Sequence, residues 1–298
     1  MNITKISQNL RAMKALTGLS PEEFINLVPT FGQAITARKM EEPNRQRKVG
    51  GGQKGKLKTI EQKLFFILFY LKTYPTFDVL ACFFDKGRGR SCESVHFFAK
   101  ALEKALGRKL VLPKRKISSV EEFMEAFPDA KDVFFDGTER RVEKPKKKKR
   151  QNKLYSGKKK GTTRKNIIMA DEKRRVLVLT PTKSGRRHDK RLADKVLLAE
   201  HIPKEVAVWT DTGFRGIEHV HENTLMPHKA TKKHPLTGKQ KEENKLISSF
   251  RVVVEHAIGG MKRLRSVSDI YRNKKANLDD RFMLLAAGIW NFHLQQTA

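Results

Sequence analysis

The sequence predicts a mixed α/β fold preceded by an all-α segment, and three observations predict it. Before Pro113 the apolar residues recur at helical spacing behind recognisable capping residues. After it come short β-branched or aromatic runs of strand length: Val133–Phe135, Asn166–Ala170, Val176–Thr180 and Val206–Thr210. Helical periodicity then returns near 189–200 and 242–266. Strands first, then strands mixed with helices, argue for an α/β or α+β domain. The 298 residues divide at 115/116 into a helical segment and a larger α/β segment, with no internal repeat.

In the helical segment, the first helix is expected to begin at Ser20-Pro21-Glu22-Glu23, where a capping serine, a proline at the first helical position and two acids agree. It carries Phe24, Leu27, Val28 and Phe31 on one face. Residues 38–58 are basic, glycine-rich and without periodicity, the composition of a flexible arm. Thr59 with Gln62 forms a capping box ahead of Leu64, Ile67, Leu68 and Leu71. A short helix fits Thr76–Phe84, and the turn Lys86-Gly87-Arg88-Gly89-Arg90 leads to a third from about Ser91 to Leu106. Three short helices over 59–106 with a tight turn before the last describe a helix-turn-helix, whose final helix enters the major groove. A small bundle that only packs has the same pattern. The bases Arg88 and Arg90 favour DNA; Glu93, Phe97 and Phe98 on the last helix are poor base readers.

In the α/β segment two apolar strands end alike. Val133-Phe134-Phe135 runs into Asp136-Gly137, and Val208-Trp209-Thr210 into Asp211-Thr212-Gly213. A carboxylate at a strand end followed by glycine is placed at the sheet rim, where open α/β sheets put ligands. If the strands are neighbours the carboxylates converge, and oxygen-only ligation suits Mg²⁺ or Mn²⁺. Asp-Gly is also ordinary turn chemistry. On the helix near 242–266, Leu246, Phe250, Val253, Val254, Ala257, Met261 and Leu264 form one apolar face. Ser248, Arg251, Glu255 and Lys262 fall on a narrow stripe roughly opposite, which a solvated face would also show. His188-Asp189 offers auxiliary acid–base or metal candidates, although Asp189 is placed to cap the helix that begins there.

Charge narrows the partners. Sixty-three Lys and Arg face 32 Asp and Glu, a formal net charge of +31, and such a field attracts polyanions. No apolar run is long enough to span a bilayer, and MNITKISQNL lacks the apolar core of a signal peptide. Nucleic acid is therefore favoured over a membrane. Two cysteines, Cys82 and Cys92, form neither a disulfide framework nor a zinc cluster, so a reducing, cytoplasmic and nucleoid-associated setting is expected. From Arg140 to Lys165 fourteen basic residues face the single acid Glu143. A localisation signal has this composition, as does a phosphate-binding strip made from Lys146, Lys147, Lys148, Lys149, Lys158, Lys159 and Lys160.

The motifs DGTE at 136–139, YSGKKKGTTRKN at 155–166, RHDKRL at 187–192, TDTGFRG at 210–216, PHKA at 227–230 and SSFRVVVEHAIGGMKRLR at 248–265 stand in an order that resembles the DDE superfamily endonucleases, bacterial insertion-sequence transposases related to Harbinger elements. LTGLSPEEF at 16–24 and the 59–106 unit resemble that group's N-terminal DNA-binding domain. The resemblance implies an RNase H-like catalytic domain with Asp136, Asp211 and Glu255 as a triad holding two Mg²⁺ or Mn²⁺ ions. Asp136 would bridge the ions, and Arg251 and Lys262 would meet phosphate. It further implies double-stranded DNA, as transposon ends and target, and a homodimer or higher assembly on it. Two departures are Ser248, where relatives often carry Tyr, and the lysine-dense KPKKKKR at 144–150. A domesticated nuclease without strand transfer and a catalytically silent DNA-binding regulator are the alternatives. A complete acidic triad argues against the regulator, and terminal inverted repeats flanking the gene would separate a mobile element from both.

Overall fold

The computed structural model describes residues 3–41, 55–231 and 235–297. The chain forms two compact units. The first takes Met1–Leu112, Met261–Asp269 and Asn273–Ala298; the second takes Pro113–Gly260 and Ile270–Arg272. Sequence pattern draws its line at 115/116. Compactness draws it at 112/113 and groups two C-terminal segments with the first unit.

In the first unit, helices α1 (Ile3–Ser7) and α2 (Leu10–Thr17) precede the helix expected to be first, α3 (Pro21–Met40). Ser20 is the expected cap and with Glu23 closes a capping box, and Phe24, Leu27 and Phe31 are buried. The arm expected at 38–58 falls mostly on 42–54, outside the described residues, and its first residues instead complete α3. Helix α4 (Ile60–Thr73) starts from the Thr59/Gln62 box, and α5 (Phe77–Phe84) is capped by Thr76. Helix α6 (Arg88–Arg108) begins three residues earlier than expected, on Gly87. The turn is therefore only Asp85-Lys86-Gly87, with Asp85 left-handed at φ 48°, and Arg88 and Arg90 belong to the first helical turn. Phe66 packs between Phe84 and Phe98, its ring centroid 4.8 and 6.0 Å from theirs.

The second unit opens with α7 (Val120–Ala126) and the long strand β1 (Asp132–Arg141). Helix α8 (Lys148–Leu154) and β2 (Tyr155–Ser156) lead into β3 (Gly161–Asp171), then β4 (Val176–Leu179) and β5 (Lys183–Ser184). After α9 (Asp189–Asp194) come β6 (Ala207–Trp209) and β7 (Thr224–Leu225). The sheet order is β2-β3-β1-β6-β7, with β4 and β5 also pairing β3. β1 lies antiparallel to β3 and parallel to β6, which makes the sheet mixed and the α/β class correct. Val133, Phe135, Ile167, Met169 and Val208 share the core with Leu192, Leu198 and Phe214. The helix expected to reach 200 stops at Asp194; Leu197 stands left-handed at φ 53°, a conformation that ends a helix.

Helix α10 (Gly238–Lys262) spans the division between the units, and α11 (Arg265–Ser268) and α12 (Leu278–Thr297) follow in the first. The apolar face expected for α10 is buried at Val254, Ala257 and Met261 but not near its start, where Leu246 and Phe250 are exposed. α12 buries Phe282 against Tyr70, centroids 6.0 Å apart, and its His293 pairs with the buried Glu23. Because Phe66 is fully buried and packs on the Phe84 and Phe98 rings, Phe66→Ala should cost about 3–5 kcal/mol, read as a lowered urea midpoint for the helical signal; an unchanged midpoint would remove Phe66 from the core.

Candidate active site

Parallel pairing of β1 and β6 aligns Asp132 with Ala207, Val133 with Val208 and Phe134 with Trp209. Continued two residues, that register sets Asp136 beside Asp211. The two carboxylates therefore converge as expected, although by a different local route. Asp136 does not end its strand: β1 continues through Gly137 to Arg141, held by nine residue pairs with β3. Asp211 does follow its strand, and accepts a hydrogen bond from the Gly213 amide at 2.8 Å. Alternation along β1 and β6 puts Asp136 on the face of Phe134, whose ring stacks on Trp209 at 6.1 Å. Burial pushes the Asp136 carboxyl above the ordinary range. The amide of Gly137 and the Arg251 guanidinium oppose this, while the charges of Asp211 and Asp189 reinforce it.

The opposite face of β1 carries a second ionic group. Lys165 and Glu139 are directly paired across β3 and β1, on the face that Ile167 and Met169 take into the core. The nearly buried Lys165 ammonium lies 3.0 Å from Glu139 and 2.9 Å from Asp189, and donates to the Arg187 carbonyl at 3.2 Å. Burial alone would lower the Lys165 pKa; Asp189 and Glu139 outweigh it and raise it. Asp189 is not the helix cap expected: His188 holds that position, without a side-chain hydrogen bond, and Asp189 begins the helix proper. Its carboxylate instead lies against Gly137 and Gly213. A Cβ on Gly137 would stand 2.6 Å from Asp189 Oδ1, and one on Gly213 would stand 3.3 Å from Oδ2. Glycine at both positions is what admits this carboxylate to the surroundings of Asp136 and Asp211. Glu139 and Lys165 were missed as site residues. Their signal was the period-two alternation that gives Lys165 the face of Ile167 and Met169.

Helix α10 approaches the Asp136/Asp211 face. The Phe250 ring packs tilted on Trp209, centroids 4.6 Å apart, and Arg251 reaches within 3.9 Å of Asp211. Glu255 is exposed one turn further along the helix, about 6 Å by helical rise. Ser248 is exposed too, and Lys262 closes the helix as part of the first unit. Among the described residues no three His, Cys, Asp or Glu side chains gather closely enough to hold a metal ion. Two oxygen ligands do converge, however, and Mg²⁺ is commonly held by one or two carboxylates with water and substrate phosphate completing its shell. The Asp136/Asp211 pair fits that donor set.

The basic candidates are scattered differently from their sequence grouping. Lys146, Lys147, Lys148 and Lys149 are exposed before and within the start of α8, and Lys158, Lys159 and Lys160 on the turn before β3. Arg140 and Lys165, from the same run, are buried; Arg140 lies over the Tyr271 ring at 4.8 Å. Arg88 and Arg90 are exposed beside Asp78 and Glu93. Lys165→Met would leave Glu139 and Asp189 without their counter-charge. It should destabilise the chain by about 3–5 kcal/mol, against less than about 1 kcal/mol for Lys114→Met at a surface pair. Equal denaturant midpoints for the two variants would contradict a structural role for the buried ammonium.

Comparison with known proteins agrees with this geometry. Residues 135–291 match the family described as DDE superfamily endonuclease, and residues 55–107 match the helix-turn-helix of DDE superfamily endonuclease. The chain is also 28% identical over 297 residues to the probable transposase for insertion sequence element IS702 of Microchaete diplosiphon, covering 99% of both. No solved structure matches it. No helix among the described residues is long and apolar enough to cross a membrane. With a match that spans more than half of its length and includes both converging aspartates, the chain belongs to the DDE superfamily endonuclease family.

Proposed function

We propose that this protein is a DNA transposase that binds the ends of its element, cleaves phosphodiester bonds there and joins the freed 3′-hydroxyl to target DNA. The observation that carries the reading is the convergence of Asp136 and Asp211 from neighbouring parallel strands in a DDE endonuclease. The relative named as a probable transposase, similar along its whole length, supports it.

Asp136 and Asp211, with Glu255 as third acid, would hold two Mg²⁺ or Mn²⁺ ions. Bound there, such ions supply charge neutralisation at the entering and leaving oxygens of an in-line displacement. The protein's own part is placement. β1 and β6 hold the two aspartates at one level, and Arg251 offers a guanidinium to Asp211 or to the incoming phosphate. Glu255 sits on the helix that carries Arg251, one turn further along. Lys262 would meet phosphate from the end of that helix, and His188 and Asp189 are auxiliary. The exposed α6 start, with Arg88 and Arg90, would read the element ends from the helix-turn-helix. Pairing of two ends requires a homodimer or higher assembly on double-stranded DNA.

Asp136→Asn, Asp211→Asn and Glu255→Gln should each abolish Mg²⁺-dependent cleavage of an end-containing duplex while leaving binding close to wild type. Near-normal cutting by any one of them would take that residue out of the triad. For the exposed lysines, changing Lys146, Lys147, Lys148 and Lys149 to Ala should weaken binding to every duplex and flatten the slope of log K against log salt by roughly 2–4 units. Preference for end over scrambled sequence should hardly move, because phosphate contacts position without reading bases. An unchanged slope in the salt titration would show that these lysines do not touch DNA.

A further inference from the structure

A cavity of about 600 Å³ in the second unit is lined by Lys153, Ser184, Arg186, Arg187, His188 and Arg191. Five of the six side chains are basic and none is acidic. Other cations of this unit do have acidic partners: Lys165 has Glu139 and Asp189, Lys190 has Asp194 and Arg175 has Asp171. Among the described residues no carboxylate pairs with Lys153, Arg186, Arg187 or Arg191. Like charges facing one concavity repel, and only an anion entering it relieves them.

The cavity is also built rather than incidental. Ser184 Oγ donates to the Lys153 carbonyl, tying β5 to α8. The Gly185 amide donates to the Thr163 carbonyl at 3.0 Å, and the Arg187 amide to the Ser184 carbonyl at 3.2 Å. The buried Lys165 ammonium then holds the Arg187 carbonyl from below. A Cβ on Gly185 would fall 1.8 Å from Thr163 Oγ1, so the loop lies pressed onto β3.

Its position selects the anion. The segment Arg187-His188 is followed at once by Asp189, whose carboxylate lies beside Gly137 and Gly213, next to Asp136 and Asp211. One or two residues, about 4–8 Å of chain, therefore separate the basic wall from Asp189, whose charge reaches the Asp136 carboxyl. Phosphates along a DNA strand recur at comparable intervals. A strand that presents one phosphate to Asp136 and Asp211 could carry its neighbours to this wall along the Asp189 edge. Guanidinium groups take such oxygens in bidentate fashion. The geometry points to a binding site for the phosphodiester groups immediately flanking the bond that is cut, formed by Arg187 and Arg191 with Lys153 and Arg186. This rests on the reading of the chain as a DNA-cutting enzyme and adds to it the residues that hold the strand in line.

The test is a phosphate-interference scan with the full chain and no divalent metal. Duplexes of the element end, each with one phosphate replaced by a neutral methylphosphonate, are titrated against wild type and against Arg187→Ala/Arg191→Ala. Wild type should lose about tenfold in affinity at one or two adjacent positions beside the bond that is cut, the size of one charge-assisted contact. At those positions the double variant should show no additional loss, while losses elsewhere add. Lys153→Ala/Arg186→Ala should silence the same positions, which guards against a folding fault in the first pair. Sensitive positions that lie only away from the bond that is cut, losses that add at every position, or silenced positions that differ between the two pairs would overturn the assignment. Because only binding is read, a chain that fails to cut DNA would sink the transposase reading, while silenced positions would still show that this cavity holds DNA phosphate.

Discussion

The parallel pairing of β1 with β6 is the constraint on which the site depends. Side chains on a pleated strand alternate between faces, so a slip of one residue would send Asp211 to the opposite side from Asp136. The register aligning Phe134 with Trp209 prevents this, and the stacked rings of those two residues reinforce it. β1 can hold its place because β3 binds its other edge over nine pairs. Aspartates with like charge are thereby kept close in a half-buried place, at the cost visible in the raised pKa of Asp136. Two carboxylates held this close offer oxygen ligands of the kind that suit a divalent cation.

Charge is sorted by depth. The chain's excess of +31 is spread over the surface, yet two members of its densest basic run are buried for structural reasons. Lys165 neutralises Glu139 and Asp189, and Arg140 lies on Tyr271. Among the described residues, the exposed lysines around α8 and the guanidinium groups of the basic cavity have no such carboxylate partners. Their counter-charge must come from solution, which suits a surface that exchanges small ions for DNA phosphate. The buried ammonium and the basic cavity are coupled through one loop, since Lys165 contacts both Asp189 and the Arg187 carbonyl.

Asp189 shows how a local rule is overridden. An aspartate at the start of a helix is normally read as its cap. Here His188 takes the capping position, and two glycines brought together from β1 and the turn after β6 leave room for the Asp189 carboxylate. The α10 face behaves similarly. Leu246 and Phe250 share the periodicity of the buried Val254 and Ala257 but remain exposed, and Phe250 packs on Trp209 only at its edge of the sheet. Periodicity states which residues share a face; it does not state how much of that face another element covers.

The sequence by itself determined the helix starts at Ser20, Thr59 and Thr76, the four principal strands and the presence of both aspartates behind apolar runs. Each of these depends on interactions within a few residues: a capping hydroxyl, a period of two, an Asp followed closely by Gly. It also carried the family, because the order of its motifs is a property of the chain alone. Tertiary structure decided the rest. That α12 packs with the N-terminal helices, that β1 runs on through Asp136-Gly137, that Lys165 is an internal counter-ion and that four cations, unpaired with any carboxylate among the described residues, share one cavity all depend on residues far apart in the chain. Their contacts follow from strand register and from the space left by glycines, and neither is encoded in local spacing.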